Sequence, residues 1–426
     1  MRILIIAHDF PPLNSSASRR PYSWARAWAD LGHEVQVLTT AKYATDGRAD
    51  LALDCSGFAV REVPYLPFAR PAAKPAAGTQ AAVPPRPSFL FDLVRRSTRR
   101  LRLGLGIYTQ TTMLAWRALL RAALALHAER RFDFVISTSG PEVCTIVAHA
   151  FGKRTGTPWI ADYRDLWFAE FAVQRYAFTT WSVGCMNTRM LRQATATSTI
   201  SEGLVDYLRR VTDRPVLLSY NGYLEEVSDG GAVRPWRDSM VHLVYTGNFY
   251  PDKRDPESLF GALRELLALK PEVHQRLRLD LYGPVEGWVQ AKIAAHGLQP
   301  VVRVHGMVPY HESLAAQRAA DALLFVDWMD ARAEGVLTGK LFEYLASGRP
   351  IVCVGNRAGT EAARIIVRSG TGRIANDSAA IRAALAAVAA GTAGAAADRA
   401  AIARFSRRAQ AEELLGRIAA LLPAAR

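Results

Sequence analysis

Residues 1–38 read MRILIIAHDFPPLNSSASRRPYSWARAWADLGHEVQVL. Arg2 to Ile6 is a short run rich in β-branched residues, and a proline-containing loop follows from Ala7 to Ser18. A helical stretch then runs to Leu31, and Gly32-His33 stops it before Glu34-Val35-Gln36-Val37-Leu38. The order strand, loop, helix, glycine, strand predicts a βαβ unit. Its crossover is right-handed and its strands parallel, so the loop after the first strand opens at the carboxyl edge of the sheet, where α/β proteins bind ligands. His8, Asn14 and Ser15 are therefore candidate residues of a site wall; Asn and Ser turn the chain and donate hydrogen bonds.

The alternation resumes with Phe134 to Ser137, a helix around Val143 to Thr155, the Gly156-Thr157-Pro158 break and the strand Trp159 to Ala161, followed by the strands Thr197 to Ile200 and Val216 to Ser219. It starts afresh with strands at Val241 to Thr246, Leu277 to Tyr282, Val301 to His305, Ala322 to Val326 and Ile351 to Val354, with helices at Pro256 to Leu269, His311 to Ala320 and Thr338 to Ser347. Two αβ cores in tandem are expected, with a boundary near Asp213: a first domain over 1–212, a second over 213–400 and a terminal helix over 401–426. A segment of about 63–105 interrupts the first domain, because its Pro- and Ala-rich start suits neither a central strand nor a regular helix. A tail of almost pure Ala and small residues runs from Ala380 to Ala397.

A chain of 426 residues exceeds what one hydrophobic core usually supports, and 50% hydrophobic with 22% charged residues is a globular composition. No apolar run reaches the ~20 residues of a membrane span, and no signal-peptide pattern precedes the first strand, so a cytoplasmic location is expected. Cys55, Cys144, Cys185 and Cys353 lie far apart without CxxC spacing, which predicts reduced core residues and neither a disulfide framework nor a zinc site. A net charge of +14 favours polyanions, although an arginine-rich composition bias accounts for it equally well. From Phe89 to Leu103, aromatic and aliphatic residues interleave with Arg95, Arg96, Arg99, Arg100 and Arg102. That pattern resembles an interfacial helix and points to an anionic membrane surface rather than to nucleic acid.

The segment with the most chemistry is EGVLTGKLFEYLASGRPIV, residues 334–352. At ~100° per residue Leu341, Phe342, Leu345 and Ala346 share one helix face, while Lys340, Glu343 and Ser347 lie opposite. A lysine in the first turn opposes the helix dipole unless an anion sits there too. The backbone N–H groups of Thr338, Gly339 and Lys340, with the Lys340 ammonium, suit a diphosphate, and Glu343 one turn further in suits ribose hydroxyls. A solvated Lys340–Glu343 pair is the bland alternative. In Val244 to Asp255 a strand ends at Gly247 and is followed by Asn248, Lys253 and Arg254, a phosphate-binding loop or a solvated basic turn. Gly283 after Leu281-Tyr282 permits a ligand or another backbone to come close. Asp162-Tyr163-Arg164-Asp165 gathers two carboxylates and a guanidinium at a strand end, as a polar site or as a structural Arg164–Asp162 pair. Guanidinium stays protonated, so Arg164 is no general base. No nucleophile elbow, HExxH or Walker A loop appears, and no GxGxxG follows a predicted strand.

Glu343-Tyr344-Leu345-Ala346-Ser347-Gly348-Arg349-Pro350 resembles the second half of the Glu-x7-Glu segment of glycosyltransferase family 4-like proteins, and eight residues rather than seven separate Glu334 from Glu343. The resemblance implies a GT-B fold, two Rossmann-like domains with parallel sheets facing across a cleft, with the terminal helix packing back on the first domain. It implies a retaining transferase that needs no metal and no resident cofactor. The substrates would be a nucleoside-diphosphate sugar and a glycan or lipid-linked acceptor of surface polysaccharide or glycoconjugate synthesis. In that family Glu343 would bind ribose, Glu334 the donor sugar, and Asn248, Lys253 and Arg254 the diphosphate. Arg164-Asp165 would occupy the positions of a His-Asp pair, so that Asp165 contacts sugar hydroxyls. A nucleotide-sugar epimerase and a non-catalytic sugar-nucleotide or polysaccharide-binding subunit are the competing readings.

Overall fold

A computed structural model describes residues 1–66, 111–164, 177–225, 235–329, 335–355, 359–394 and 396–423. Phe89 to Leu103, Asp165 and Glu334 lie outside them. The chain forms two compact units, one of Met1–Ile200, Leu204–Tyr220 and Ala411–Arg426, the other of Ser201–Gly203 and Asn221–Gln410.

The first unit runs β1 (Arg2–Ile6), α1 (Arg19–Asp30), β2 (Glu34–Thr40), β3 (Ala59–Val63), α2 (Trp116–Glu129), β4 (Phe134–Thr138), α3 (Val143–Thr155), β5 (Trp159–Tyr163), α4 (Ala177–Leu191), β6 (Ala196–Thr199), α5 (Glu202–Val211) and β7 (Val216–Leu218). Its parallel sheet has the order β3-β2-β1-β4-β5-β6-β7. Successive strand residues point to opposite faces, so both faces need a cover. Ile3, Ile5, Val35, Val37, Phe134 and Ile136 pack with Trp24 and Trp28 of α1. Leu4, Ile6, Leu38 and Val135 pack with Leu119 and Ala123 of α2 and Val147 and Phe151 of α3.

The second unit runs β8 (Val241–Thr246), α6 (Glu257–Leu269), β9 (Leu277–Tyr282), α7 (Gly287–Ala295), β10 (Val302–Gly306), α8 (Tyr310–Ala319), β11 (Ala322–Val326), α9 (Gly339–Ser347), β12 (Ile351–Val354), α10 (Glu361–Arg368), β13 (Gly372–Ala375), α11 (Ser378–Ala389) and α12 (Arg399–Ala403). Its sheet, also parallel, has the order β10-β9-β8-β11-β12-β13. The last helix, α13 (Arg407–Ala419), gives Ala411 onward to the first unit.

Several local expectations change. Val216 pairs with Thr197, so β7 closes the first sheet and the chain stays in that unit to Tyr220, beyond the boundary expected at Asp213. Val63 ends β3 rather than opening an irregular segment. The alanine-rich tail holds a helix, α11, because Asp377 accepts the Ala380 N–H at 2.7 Å as its cap and Ile381, Leu385 and Val388 reach the core. Cys144 and Cys353 are buried as expected, but Cys55 is half-buried and Cys185 exposed. Among the described residues no helix is long and apolar enough to cross a membrane.

Candidate functional site

In each sheet the strand order reverses once, between β1 and β4 and between β8 and β11. Loops diverge there at the carboxyl edge and leave a crevice, the usual ligand position in an open α/β sheet.

In the second unit, Gly247 follows β8 with φ +118°, and a Cβ on it would lie 2.9 Å from Lys340 Nζ. Gly283 follows β9 with φ +128°, and a Cβ there would meet the Gly247 carbonyl oxygen at 2.5 Å. The two glycines let the loops nest and let the lysine lie over them. Gly283 thus admits another backbone, one of its two expected uses.

Lys340, in the first turn of α9, donates to Tyr245 Oη at 3.1 Å and sits 4.2 Å from that ring's centroid. The Tyr245 hydroxyl donates in turn to the Asn248 carbonyl at 2.7 Å. Burial first, and the Arg254 guanidinium second, hold the Lys340 ammonium well below the usual lysine range, against the smaller opposing pull of Glu343 and Asp327. Glu343 does not pair with Lys340. Its carboxylate accepts from Tyr310 Oη at 2.9 Å and Gln317 Nε2 at 3.3 Å, so α8 orients it. Asp327, at the end of β11, is buried; it accepts the Trp328 N–H at 2.8 Å and the Thr360 hydroxyl at 2.9 Å, and burial raises its carboxyl despite both.

Buried polar atoms normally have partners. Here Arg254 Nε, Trp328 Nε1, Thr338 Oγ1 and Gln317 Oε1 are buried without one. Arg254 is 5% exposed, its guanidinium lies 5.2 Å from the Trp328 ring, and no carboxylate among the described residues pairs with it or with Lys340. Thr338 precedes α9 in extended conformation and its side chain does not cap the helix. The crevice therefore presents two cationic side chains without a directly paired carboxylate among the described residues, unused donors and a helix start, the equipment of an anion site. Asn248 and Lys253 are exposed beside it. Tyr245, Trp328, Asp327, Tyr310 and Gln317 are the residues that sequence reasoning missed. Only Asp327 carried a signal, as the first polar residue after the apolar run Ala322–Val326.

The first unit treats its candidates differently. His8 is buried, with Nδ1 2.6 Å from Thr40 Oγ1. Burial, then the nearby Lys42 ammonium, lowers its imidazole to about 3, so it stays neutral. Asn14 donates to Asp50, 36 residues on, at 2.9 Å and so ties the first loop to a second, while the Ser15 and Ser18 hydroxyls lie 2.9 Å apart within a local turn. Asp162 is fully buried and accepts from Arg20 Nη2 at 2.7 Å and Ser198 Oγ at 2.7 Å. The alternative Arg164–Asp162 pair does not form: Arg164 Nη2 lies 3.5 Å from Asp9. Asp162 is structural, and Arg164 is the described residue of that segment that reaches the loop carrying Asp9.

Residues 17–222 match the model of the glycosyl transferase 4-like domain, and residues 241–390 that of glycosyl transferases group 1. No curated protein matches the chain in sequence. Similar solved structures include sucrose-phosphate synthase from Thermosynechococcus elongatus, with 15% identity over 100% of both chains and a TM-score of 0.65. The Anabaena protein HepE in complex with UDP has 12% identity over 99% of this chain and 100% of that one, TM-score 0.60. A UDP-forming α,α-trehalose-phosphate synthase from Burkholderia vietnamiensis has 11% identity over 99% and 98%, TM-score 0.63. At these identities the likeness is one of fold, the GT-B arrangement of two Rossmann-like halves.

Proposed function

The chain belongs to the glycosyltransferase 4-like proteins of GT-B fold, and from that premise we propose that it moves a sugar from a nucleoside-diphosphate donor held in the crevice between β8 and β11. The observation that carries this reading is the pair of a buried Arg254 and a half-buried Lys340 at the switch point, neither paired with a carboxylate among the described residues, beside the unused Trp328 Nε1 and Thr338 Oγ1. A diphosphate answers all four. As the donor's glycosidic bond breaks, negative charge grows on the diphosphate, and cations fixed in a low-dielectric site stabilise that charge more than the ground state. Glu343, aimed by Tyr310 and Gln317, takes ribose hydroxyls. Asn248 and Lys253 extend the phosphate contacts from the rim. Glu334 and Asp165 are assigned to the donor sugar and to sugar hydroxyls on the family resemblance.

The acceptor is a glycan or a lipid-linked sugar, the product keeps the donor's anomeric configuration, and the arginine-rich stretch Phe89 to Leu103 holds the enzyme at an anionic membrane face. The UDP bound to the Anabaena neighbour makes a uridine donor the first to try. In a thermal-shift panel of UDP, GDP, ADP and dTDP, one nucleotide should stabilise the wild type, by ~2.7 kcal/mol at 100 times its Kd, and Glu343→Ala should lose most of that gain. Stabilisation by none of the four would remove the donor assignment. Anomeric proton couplings of the isolated product test retention.

A further inference from the structure

The loop that carries Lys253 and Arg254 and the segment that follows β11 are docked on each other by contacts the donor reading does not use. Tyr250 and Arg254 exchange backbone hydrogen bonds at 3.1 and 2.9 Å, which closes the loop on itself. The Met329 N–H donates to the Lys253 carbonyl at 2.7 Å and ties that closed loop to the residue after Trp328. On the other side the Trp328 N–H donates to Asp327 Oδ1 at 2.8 Å, while Asp327 Oδ2 takes the Thr360 hydroxyl, so both oxygens of this buried carboxylate are committed. The Trp328 ring is thereby presented to three side chains of the loop. The Tyr250 ring lies 5.5 Å from it at 60°, the Arg254 guanidinium carbon 5.2 Å over its centroid, and Lys253 Nζ 6.0 Å away.

Arg254 is buried, and a guanidinium stays charged, so the protein has to hold that charge before any ligand arrives. Its Nε has no partner. Its hydrogen bond to the Tyr245 hydroxyl shares an oxygen to which Lys340 also donates at 3.1 Å, and the Lys340 ammonium repels it. The face of Trp328 supplies the remaining attraction, because the indole quadrupole is negative over the ring and draws a cation lying within about 6 Å of the centroid. A carboxylate in this place would hold the guanidinium more tightly, but it would fill the fork that a phosphate needs and cancel the charge. A ring does neither. It restricts the rotamers of the arginine in advance and so lowers the ordering cost of binding.

We infer that Trp328 is a positioning residue for the transfer reaction: its ring face holds the Arg254 guanidinium ready for the donor's diphosphate without neutralising it. The assignment rests on the proposed function and is separate from the hydrogen bond that Trp328 Nε1 offers the same ligand. Trp328→Phe and Trp328→Leu both remove that N–H and differ in the ring, so comparing them isolates the ring. The measurement is the Kd of UDP, or of whichever of GDP, ADP and dTDP stabilises the wild type, from thermal-shift titrations of the whole chain up to millimolar nucleotide. Beside Arg254, Trp328→Phe should bind about fivefold or more tightly than Trp328→Leu, and in an Arg254→Gln background that gap should close to within about twofold. Melting curves without nucleotide establish that each variant folds, and Trp328→Met takes the place of Trp328→Leu if the latter does not. Equal affinities of the two variants beside Arg254 would overturn the assignment. So would a gap of the same size surviving Arg254→Gln, since the ring would then only fill space. Binding of none of the four nucleotides by the wild type is a different result: it removes the donor reading, and this assignment with it.

Discussion

Lys42 is buried and Lys340 half-buried, and they differ in what answers the charge. Lys42 is saturated by two carbonyls and a hydroxyl, whereas Lys340 donates to one phenol beside a guanidinium, which the more weakly acting Glu343 and Asp327 only partly offset. Lys340→Met should therefore raise the stability of the ligand-free protein or leave it unchanged, since a half-buried charge without a paired carboxylate is replaced by an apolar chain of similar length. It should also abolish most of the nucleotide-induced rise in melting temperature. A large loss of stability with nucleotide binding intact would contradict the role given to Lys340. For Lys42, burial lowers the ammonium from 10.5 to about 8. Between those values the unfolded chain holds more protons than the folded one, so the penalty is complete below pH 8 and relieved as pH rises toward 10.5. The wild type should gain on the order of 3 kcal/mol relative to Lys42→Met across that window in urea titrations. Sequence reasoning found Lys340 because helix periodicity and dipole are local properties. It could not assign Asp162, whose partner Arg20 lies 142 residues away, nor see Lys42 as buried, because both depend on which strands become neighbours.

At the scale of elements, strands and the glycines that end them were the most legible features, since hydrophobic runs and φ-permissive residues are written in a few consecutive positions. What the runs do not show is which loops touch. Gly283→Ala should cost at least 2 kcal/mol, since it combines a conformation that L residues avoid with a Cβ 2.5 Å from the Gly247 oxygen, a backbone atom that cannot swing aside. The displaced Gly247 would carry the Lys340 contact with it, so nucleotide stabilisation should fall as well. Denaturant midpoints with and without nucleotide read both effects, and a variant within 0.5 kcal/mol of wild type, roughly the scatter of neutral surface changes, would show that the loops are not nested this tightly. Side-chain ladders across strands are equally silent in sequence. Asp280 of β9 is fully buried and bonds His242 of β8 at 2.6 Å and His305 of β10 at 2.7 Å, a cross-link visible only once the parallel register sets Val244 opposite Asp280. The alanine-rich α11 was illegible for the opposite reason: three apolar anchors are too few to give a clear period, and tertiary contact with the core decides the helix.

At the scale of the whole molecule, the chain leaves the first unit after Tyr220 and returns to it at Ala411. One face of the first sheet is therefore not fully covered until the last residues have been made. Ala411, Leu414, Leu415 and Ile418 are buried against the face carrying Ile3, Val35 and Phe134, and Trp28 Nε1 donates to the Ala411 carbonyl at 2.8 Å. The three large side chains contribute roughly 1.5–3 kcal/mol each, a sum comparable with the ~5–15 kcal/mol that holds an ordinary domain together. A chain ending at Arg404 should consequently lose the first unit while keeping the second, whose core contains none of these residues. Proteolysis should then cleave α1 and α2 early and spare residues 241–389, with nucleotide stabilisation persisting in the surviving unit. The same cut leaving residues 1–220 protected would mean that the first sheet closes its own face and that α13 only decorates it.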